Sequence, residues 1–113
     1  MLTVGRVAKR TGVKVSTLHY YESIGLIKSA RNQENHRVYN KEVLRRVSVI
    51  KAAQKLGVSL ASIKQAMSHL PPHKAPSAED WQDLASYWRG ELDARIGYLQ
   101  NLRDNLTGCI GCG

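Results

Sequence analysis

Thr3-Val4-Gly5-Arg6-Val7-Ala8-Lys9-Arg10-Thr11-Gly12-Val13-Lys14 runs directly into Val15-Ser16-Thr17-Leu18-His19-Tyr20-Tyr21-Glu22-Ser23-Ile24-Gly25, and the punctuation of this stretch decides the fold. Thr3 is a suitable cap for a short helix through Arg10, because Val4, Val7 and Ala8 recur at helical spacing and Gly12 supplies the stop. A second short helix fits about 15–23, with Val15, Leu18 and Tyr21 near one face and Gly25 as a left-handed stop. Two short helices joined by a tight glycine turn make a helix-turn-helix in outline.

Working outward, Leu26 and Ile27 lead into 28–40, where Asn, Gln, Glu and His cluster between strand-like pieces at 30–31 and 38–39. That pattern predicts a small polar hairpin, or wing. Asn40 is placed to cap a third helix with a Val43, Val47 and Ile50 stripe, stopped by Gly57 after Leu56. Ser59 opens a fourth helix carrying Leu60, Ile63, Met67 and Leu70 until Pro71 and Pro72 end it. Residues 1–70 therefore form a winged helix-turn-helix domain, and 71–76 a linker.

Ser77 with Asp80 three residues on is a capping-box signature, and Glu79 and Asp80 suit the first turn of a helix. From there Trp81, Ala85, Trp88, Leu92, Arg95, Leu99, Leu102 and Leu106 follow alternating steps of four and three. A helix over 78–106 is roughly 43 Å long at about 1.5 Å per residue, too long for the small domain to cover. Residues 77–107 are thus expected to be a dimerisation helix pairing with its copy as a coiled coil in a homodimer. Folding back onto its own domain is the alternative. Gly108 is expected to end the helix, and 108–113 to open a cysteine-containing sensor loop.

The 113 residues, 42% hydrophobic and 23% charged, suit one compact, mainly α domain plus one extended element and exclude a large two-domain enzyme. No apolar run approaches the roughly 18 residues of a membrane span. Gly5 and Arg6 interrupt any secretory pattern at the start, so a cytoplasmic protein is expected. The net charge of +8 is unevenly spread: residues 1–56 hold twelve Lys/Arg against three Asp/Glu, and residues 57–113 five against six. All the excess positive charge lies in the helix-turn-helix half, which points to a polyanion and to nucleic acid before a membrane surface. No nucleophile elbow, phosphate-cradling glycine loop or metalloprotease helix motif is present, so an enzyme is not expected.

A helix that reads the major groove needs short polar donors and a few aromatics on its exposed first turns. Ser16, Thr17, His19 and Tyr20 meet that demand, with Lys14 just ahead. In the wing, Arg31, Asn35 and Arg37 are candidates to straddle the backbone, and Tyr39, Lys41 and Arg45 to add phosphate contacts. Leu18 and Tyr21 read as core, His36 as a loop residue, and Arg46, Lys51 and Lys55 as a solvated helix face. His69 and His73 have the spacing of a metal pair, but Pro71 and Pro72 break the helix between them. Cys109 and Cys112 are spaced to share one metal ion or to close on each other; a 2Fe-2S cluster takes four ligands, so they cannot hold one unaided.

The segments Thr3 to Val13, Ser16 to Glu22 and Ile24 to Ile27, followed by Arg31, Asn35, Arg37, Val38 and Tyr39, resemble the opening of MerR-family transcription regulators. Trp81 through Trp88-Arg89, Glu91-Leu92 and Gly108-Cys109-Ile110-Gly111-Cys112-Gly113 resemble the family's redox-responsive SoxR type. The resemblance implies a homodimer on double-stranded promoter DNA with an antiparallel coiled coil, and activation by distorting the promoter for RNA polymerase when a 2Fe-2S cluster is oxidised. SoxR-type proteins hold that cluster with four cysteines, two of them beyond the matching Cys109 and Cys112. The expectation is therefore a shortened chain, cluster-free at 113 residues, whose complete form binds the cluster. Sensing of a soft metal ion, or a dithiol switch, at Cys109 and Cys112 remains the alternative, and an architectural DNA-binding protein a third reading.

Overall fold

The computed structural model describes residues 1–71 and 74–112, the side chains of 107–112 excepted. The order is β1 (Leu2–Thr3), α1 (Val4–Thr11), α2 (Val15–Ser23), β2 (Ala30–Arg31), β3 (Arg37–Tyr39), α3 (Val43–Lys55), α4 (Leu60–Met67) and α5 (Ala78–Cys112). Mainly α with a small wing, this is the expected winged helix-turn-helix followed by a long helix.

The predicted caps do their work. Thr3 Oγ1 accepts from the Arg6 N–H at 3.2 Å to start α1, and Gly12 ends it at φ 73° with its N–H donating to the Ala8 carbonyl at 2.9 Å. A left-handed residue there costs a side chain dearly and glycine little. Ser59 Oγ accepts from the Ser62 N–H at 3.2 Å at the head of α4. Asn40 acts two residues earlier than a cap: its Oδ1 accepts from the Glu42 N–H at 3.1 Å and its carbonyl from the Val43 N–H at 2.9 Å, turning the chain into α3.

The wing has one more strand than the sequence reading gave it. β3 pairs antiparallel with β2 (Ala30 opposite Val38) and also with β1 (Leu2 opposite Tyr39), so β3 is central. A two-residue strand carries too little periodicity to be recognised alone.

Val7, Leu18, Ile27, Tyr39, Val43, Val47, Ile50 and Ile63 are wholly enclosed and form the centre of one core. Leu70, beyond the end of α4, is buried with them, and so are Trp81 and Leu84. This corrects the reading of Trp81 as part of the coiled-coil seam: the first turns of α5 are covered by their own domain. Glu91, Leu92 and Arg95 still border a shallow cleft with Val58, Ser62 and Gln65; along the helix Leu92, Ile96, Leu99, Leu102 and Leu106 are exposed, and the chain extends over 69 Å in its longest direction.

The capping box at the start of α5 is reciprocal, Ser77 N–H to Asp80 Oδ2 at 2.8 Å and Asp80 N–H to Ser77 Oγ at 3.1 Å. Its far end differs from expectation. The helix continues through Gly108 to Cys112, where a loop was expected. A single glycine inside a helix costs only about 1 kcal/mol against alanine, which does not stop a helix already many turns long.

Candidate nucleic-acid interface

α2 is held by its inner face and offers its outer one. Leu18 and Tyr21 are buried as expected, and Tyr21 donates its hydroxyl to Gln54 Oε1 of α3. Burial pushes the Tyr21 phenol above its ordinary pKa, so it stays a donor. Lys14 occupies the cap position without a side-chain capping bond. Lys14, Ser16, His19 and Tyr20 are exposed and Thr17 is half-buried; Tyr20, with 52% of its surface open, is a large aromatic in water beside a buried twin. Four of the five candidates at and along α2 are therefore open to solvent, with Thr17 partly covered.

The wing presents Arg31 and Asn35 at its tip. Asn35 takes φ 62°, a left-handed value that asparagine tolerates better than most residues. Asn32 Oδ1 accepts from the Glu34 and His36 N–H groups at 3.0 and 2.9 Å, and Arg31 Nη1 donates to the Asn35 carbonyl at 3.0 Å. Arg31 therefore clasps the turn it stands on. His36 is a loop residue, its Nδ1 3.6 Å from Glu34 Oε2 in open solvent.

Glu22, absent from the sequence candidates, ties wing to helix. Its Oε1 accepts from Tyr39 Oη at 3.0 Å, and its Oε2 lies 3.5 Å from Arg37 Nε. Partial burial alone would raise this carboxyl; hydrogen bonds from Ser29 and Tyr39, with the charges of Arg37 and His19, outweigh it and hold it below the ordinary range. Tyr39 responds the opposite way, its phenol pushed up to about 12 by burial first and then by the Glu22 carboxylate. Tyr39 is fully enclosed, so its assignment as a phosphate contact is corrected: the ring belongs to the core and the hydroxyl to Glu22. The signal was available, since Glu22 is one of only three acids in residues 1–56.

Three further cations make contacts inside the head, and one of them, Arg46, leaves the role expected of it. Arg45 is exposed and lies over the Trp81 ring, 4.4 Å from its centroid, fastening α3 to α5. Arg46 is buried, not solvated: Nε meets Glu42 Oε2 at 2.7 Å and Nη2 donates to the Pro71 carbonyl at 2.7 Å, anchoring the start of the linker. Lys51 donates from Nζ to the Thr11 carbonyl at 3.0 Å. Lys41 is exposed.

His69 packs its ring on Tyr87, centroids 4.6 Å apart, and His73 lies outside the described residues. No group of three or more His, Cys, Asp or Glu side chains that could hold a metal ion occurs among the described residues. The side chains of Cys109 and Cys112 lie outside them; the α5 backbone carries both. Among the described residues no helix is long and apolar enough to cross a membrane.

Comparison with known proteins agrees with this geometry. Residues 2–70 match the model of the MerR HTH family regulatory proteins and residues 44–109 that of the MerR DNA-binding family. An HTH-type transcriptional activator, a SoxR homolog of Chromobacterium violaceum, is 46% identical over 112 residues, 99% of this chain and 76% of that protein. The nodulation protein NolA of a Bradyrhizobium species is 46% identical over 104 residues, 91% of this chain but 40% of its own length. Among solved structures, a MerR-family regulator from Listeria monocytogenes superposes with a TM-score of 0.65 at 27% identity, covering 97% of this chain and 83% of that one. HiNmlR, a MerR-family regulator lacking the sensor domain and bound to promoter DNA, shares the fold with a TM-score of 0.60 at 21% identity, over 90% of this chain and 77% of its own. A polar α2 face, a basic wing and two family models that together span residues 2–109 lead to one conclusion: the chain belongs to the MerR family of DNA-binding helix-turn-helix transcriptional regulators, which are not enzymes.

Proposed function

We propose that this chain is the DNA-reading and dimer-forming part of a redox-responsive transcriptional activator that binds promoter DNA as a homodimer. Lys14, Ser16, Thr17, His19 and Tyr20 read one half-site through the major groove, while Arg31, Asn35 and Arg37 follow the neighbouring phosphates. The observation that carries this reading is Tyr20, held half-open on α2 by the burial of Leu18 and Tyr21 in the half of the chain that bears all the excess positive charge. The exposed row from Leu92 to Leu106 pairs α5 with its copy as an antiparallel coiled coil, setting two heads on one symmetric duplex. The response is a change in how far the promoter is bent and untwisted, with base contacts kept, so that RNA polymerase engages it. The 46% identity to a SoxR homolog supports sensing at the Cys109 and Cys112 end.

The residues present do not fit a 2Fe-2S cluster. Four protein ligands, generally thiolates, are required, and the chain has two cysteines. Cys109 and Cys112 would be two of its four ligands only in a protein that supplies the others. The two-thiolate donor set itself favours a second reading, a dithiol or soft-metal-ion sensor on the same DNA-binding dimer.

Tyr20→Ala tests the first reading. It should weaken binding to a symmetric duplex selected by the protein from a randomised pool about tenfold, in the range of losing one base contact, while dimer mass in ultracentrifugation is unchanged. Wild-type affinity in a gel or filter assay would refute the role given to α2. Oxidant-dependent visible absorption in a preparation carrying further cysteines supports the cluster, whereas protection of both thiols by Zn²⁺ supports the second reading.

A further inference from the structure

We propose that Lys51 and Gln54 of α3 are positioning residues for DNA reading, fixing the angle at which α2 meets the groove without touching the duplex themselves. The proposal rests on α2 being the reading helix. Lys51 and Gln54 are three apart and so share one face of α3. Each ties a different half of the helix-turn-helix: Lys51 Nζ holds the Thr11 carbonyl at the end of α1, 40 residues away, and Gln54 Oε1 receives the Tyr21 hydroxyl of α2, 33 residues away.

The chemistry at both points suits a strut. The last carbonyls of a helix have no partner within it and carry its negative dipole end, so an ammonium placed there is favoured twice. The Thr11 carbonyl opens the three-residue turn between α1 and α2, and a Cβ added at Gly12 would meet Lys51 Nζ at 2.9 Å. The Lys51 ammonium thus lies directly against the turn. At the other point, Tyr21 sits between the exposed reading side of α2 and the core, and its hydroxyl reaches α3. With α1 and α2 each pinned to adjacent turns of one rigid helix, their relative rotation is set by the pitch of α3. Apolar packing of Leu18 alone restrains a short helix against translation more than against rolling.

A surface lysine in a DNA-binding head has an obvious rival role as a phosphate contact, and salt dependence separates the two. Losing one phosphate contact lowers the slope of log affinity against log salt by about 0.9 and weakens all sequences alike; losing a strut leaves the slope and weakens only the selected sequence. Affinities for the selected duplex and a scrambled one would be measured by fluorescence anisotropy over a salt series for Lys51→Met, Lys51→Arg, Tyr21→Phe and Tyr20→Ala, with thermal melts alongside. Lys51→Met and Tyr21→Phe should each lower the selected-to-scrambled ratio about fivefold, the scale of one modest hydrogen bond, with slope and scrambled affinity unchanged. Lys51→Arg, which can still donate, should restore the ratio. An unchanged ratio, a slope reduced by about one, or a lower melting temperature with full discrimination below it would overturn the proposal. If Tyr20→Ala also leaves the ratio intact, the reading of α2 fails and the proposal with it; if Tyr20→Ala lowers the ratio and Lys51→Met does not, the proposal fails alone.

Discussion

The two ends of α5 carry the same kind of sequence and meet opposite fates. From Trp81 to Leu106 large apolar residues recur every three or four positions without a break. Yet Trp81 and Leu84 are buried in the head, while Leu99 and Leu106 each keep 54% of their surface open. Helical periodicity records which side of a helix is apolar; it carries no information about what covers that side. In the head the cover is intramolecular and includes α4 and α3, with Arg45 stacked on Trp81. Along the rod no other element among the described residues covers Leu99 or Leu106, and in the proposed homodimer a second copy supplies the matching face.

The sharpest way to break this contrast is a pair of matched truncations. Leu18→Ala, in a wholly enclosed site, should cost about 2–5 kcal/mol, the range for leucine in packed cores, and lower the melting temperature by the same amount at every protein concentration. Leu99→Ala removes a side chain that the head never covered. It should cost roughly 1–3 kcal/mol of association, about a fivefold or larger rise in the dimer dissociation constant, visible as a melting temperature that depends more steeply on concentration. Equal, concentration-independent losses from both substitutions would show that Leu99 is covered within its own chain.

The same distinction explains what was readable in the sequence. Local devices were legible: Thr3, Gly12, Ser59 and the Ser77–Asp80 box act within three or four residues of themselves, and each does what its type predicts. The helix-turn-helix and the exposure of Lys14, Ser16, His19 and Tyr20 followed from them. Long-range pairings were not legible. Tyr39 has the composition of a wing residue but lies opposite Leu2 and over Glu22; Arg46 has the look of a surface cation but meets Pro71, 25 residues on. Lys51 was indistinguishable from Lys55 until Thr11 arrived beside it from 40 residues away. Gly108 was misread for the converse reason: a stop signal taken from residue type alone, without the left-handed conformation that Gly12 actually adopts.

Glu22 offers the smallest effect and the most specific one, because it belongs to the head alone and joins α2 to the wing. Its carboxyl is held below the ordinary range in the folded state, so the stability it contributes is present above the unfolded carboxylate pKa of about 4.3 and is lost as pH falls through the lower folded value. Tyr39 works at the other extreme. Its phenol is raised from 10.0 to about 12, so its contribution is whole below about pH 10 and disappears as pH climbs through about 12. Glu22→Gln keeps the shape and an acceptor oxygen but removes the charge. It should flatten the acid limb of a chemical-denaturation profile below about pH 4, and shorten the alkaline limb, which still begins near pH 10 but ends at a lower pH with a smaller loss, because the carboxylate no longer helps to suppress Tyr39 ionisation. Dimer dissociation, governed by α5, should not move with it. If the acid limb is unchanged while the rod loosens, the bridge between α2 and the wing is not where this carboxylate acts, and the division between a self-sufficient head and a rod that needs a partner loses its electrostatic support.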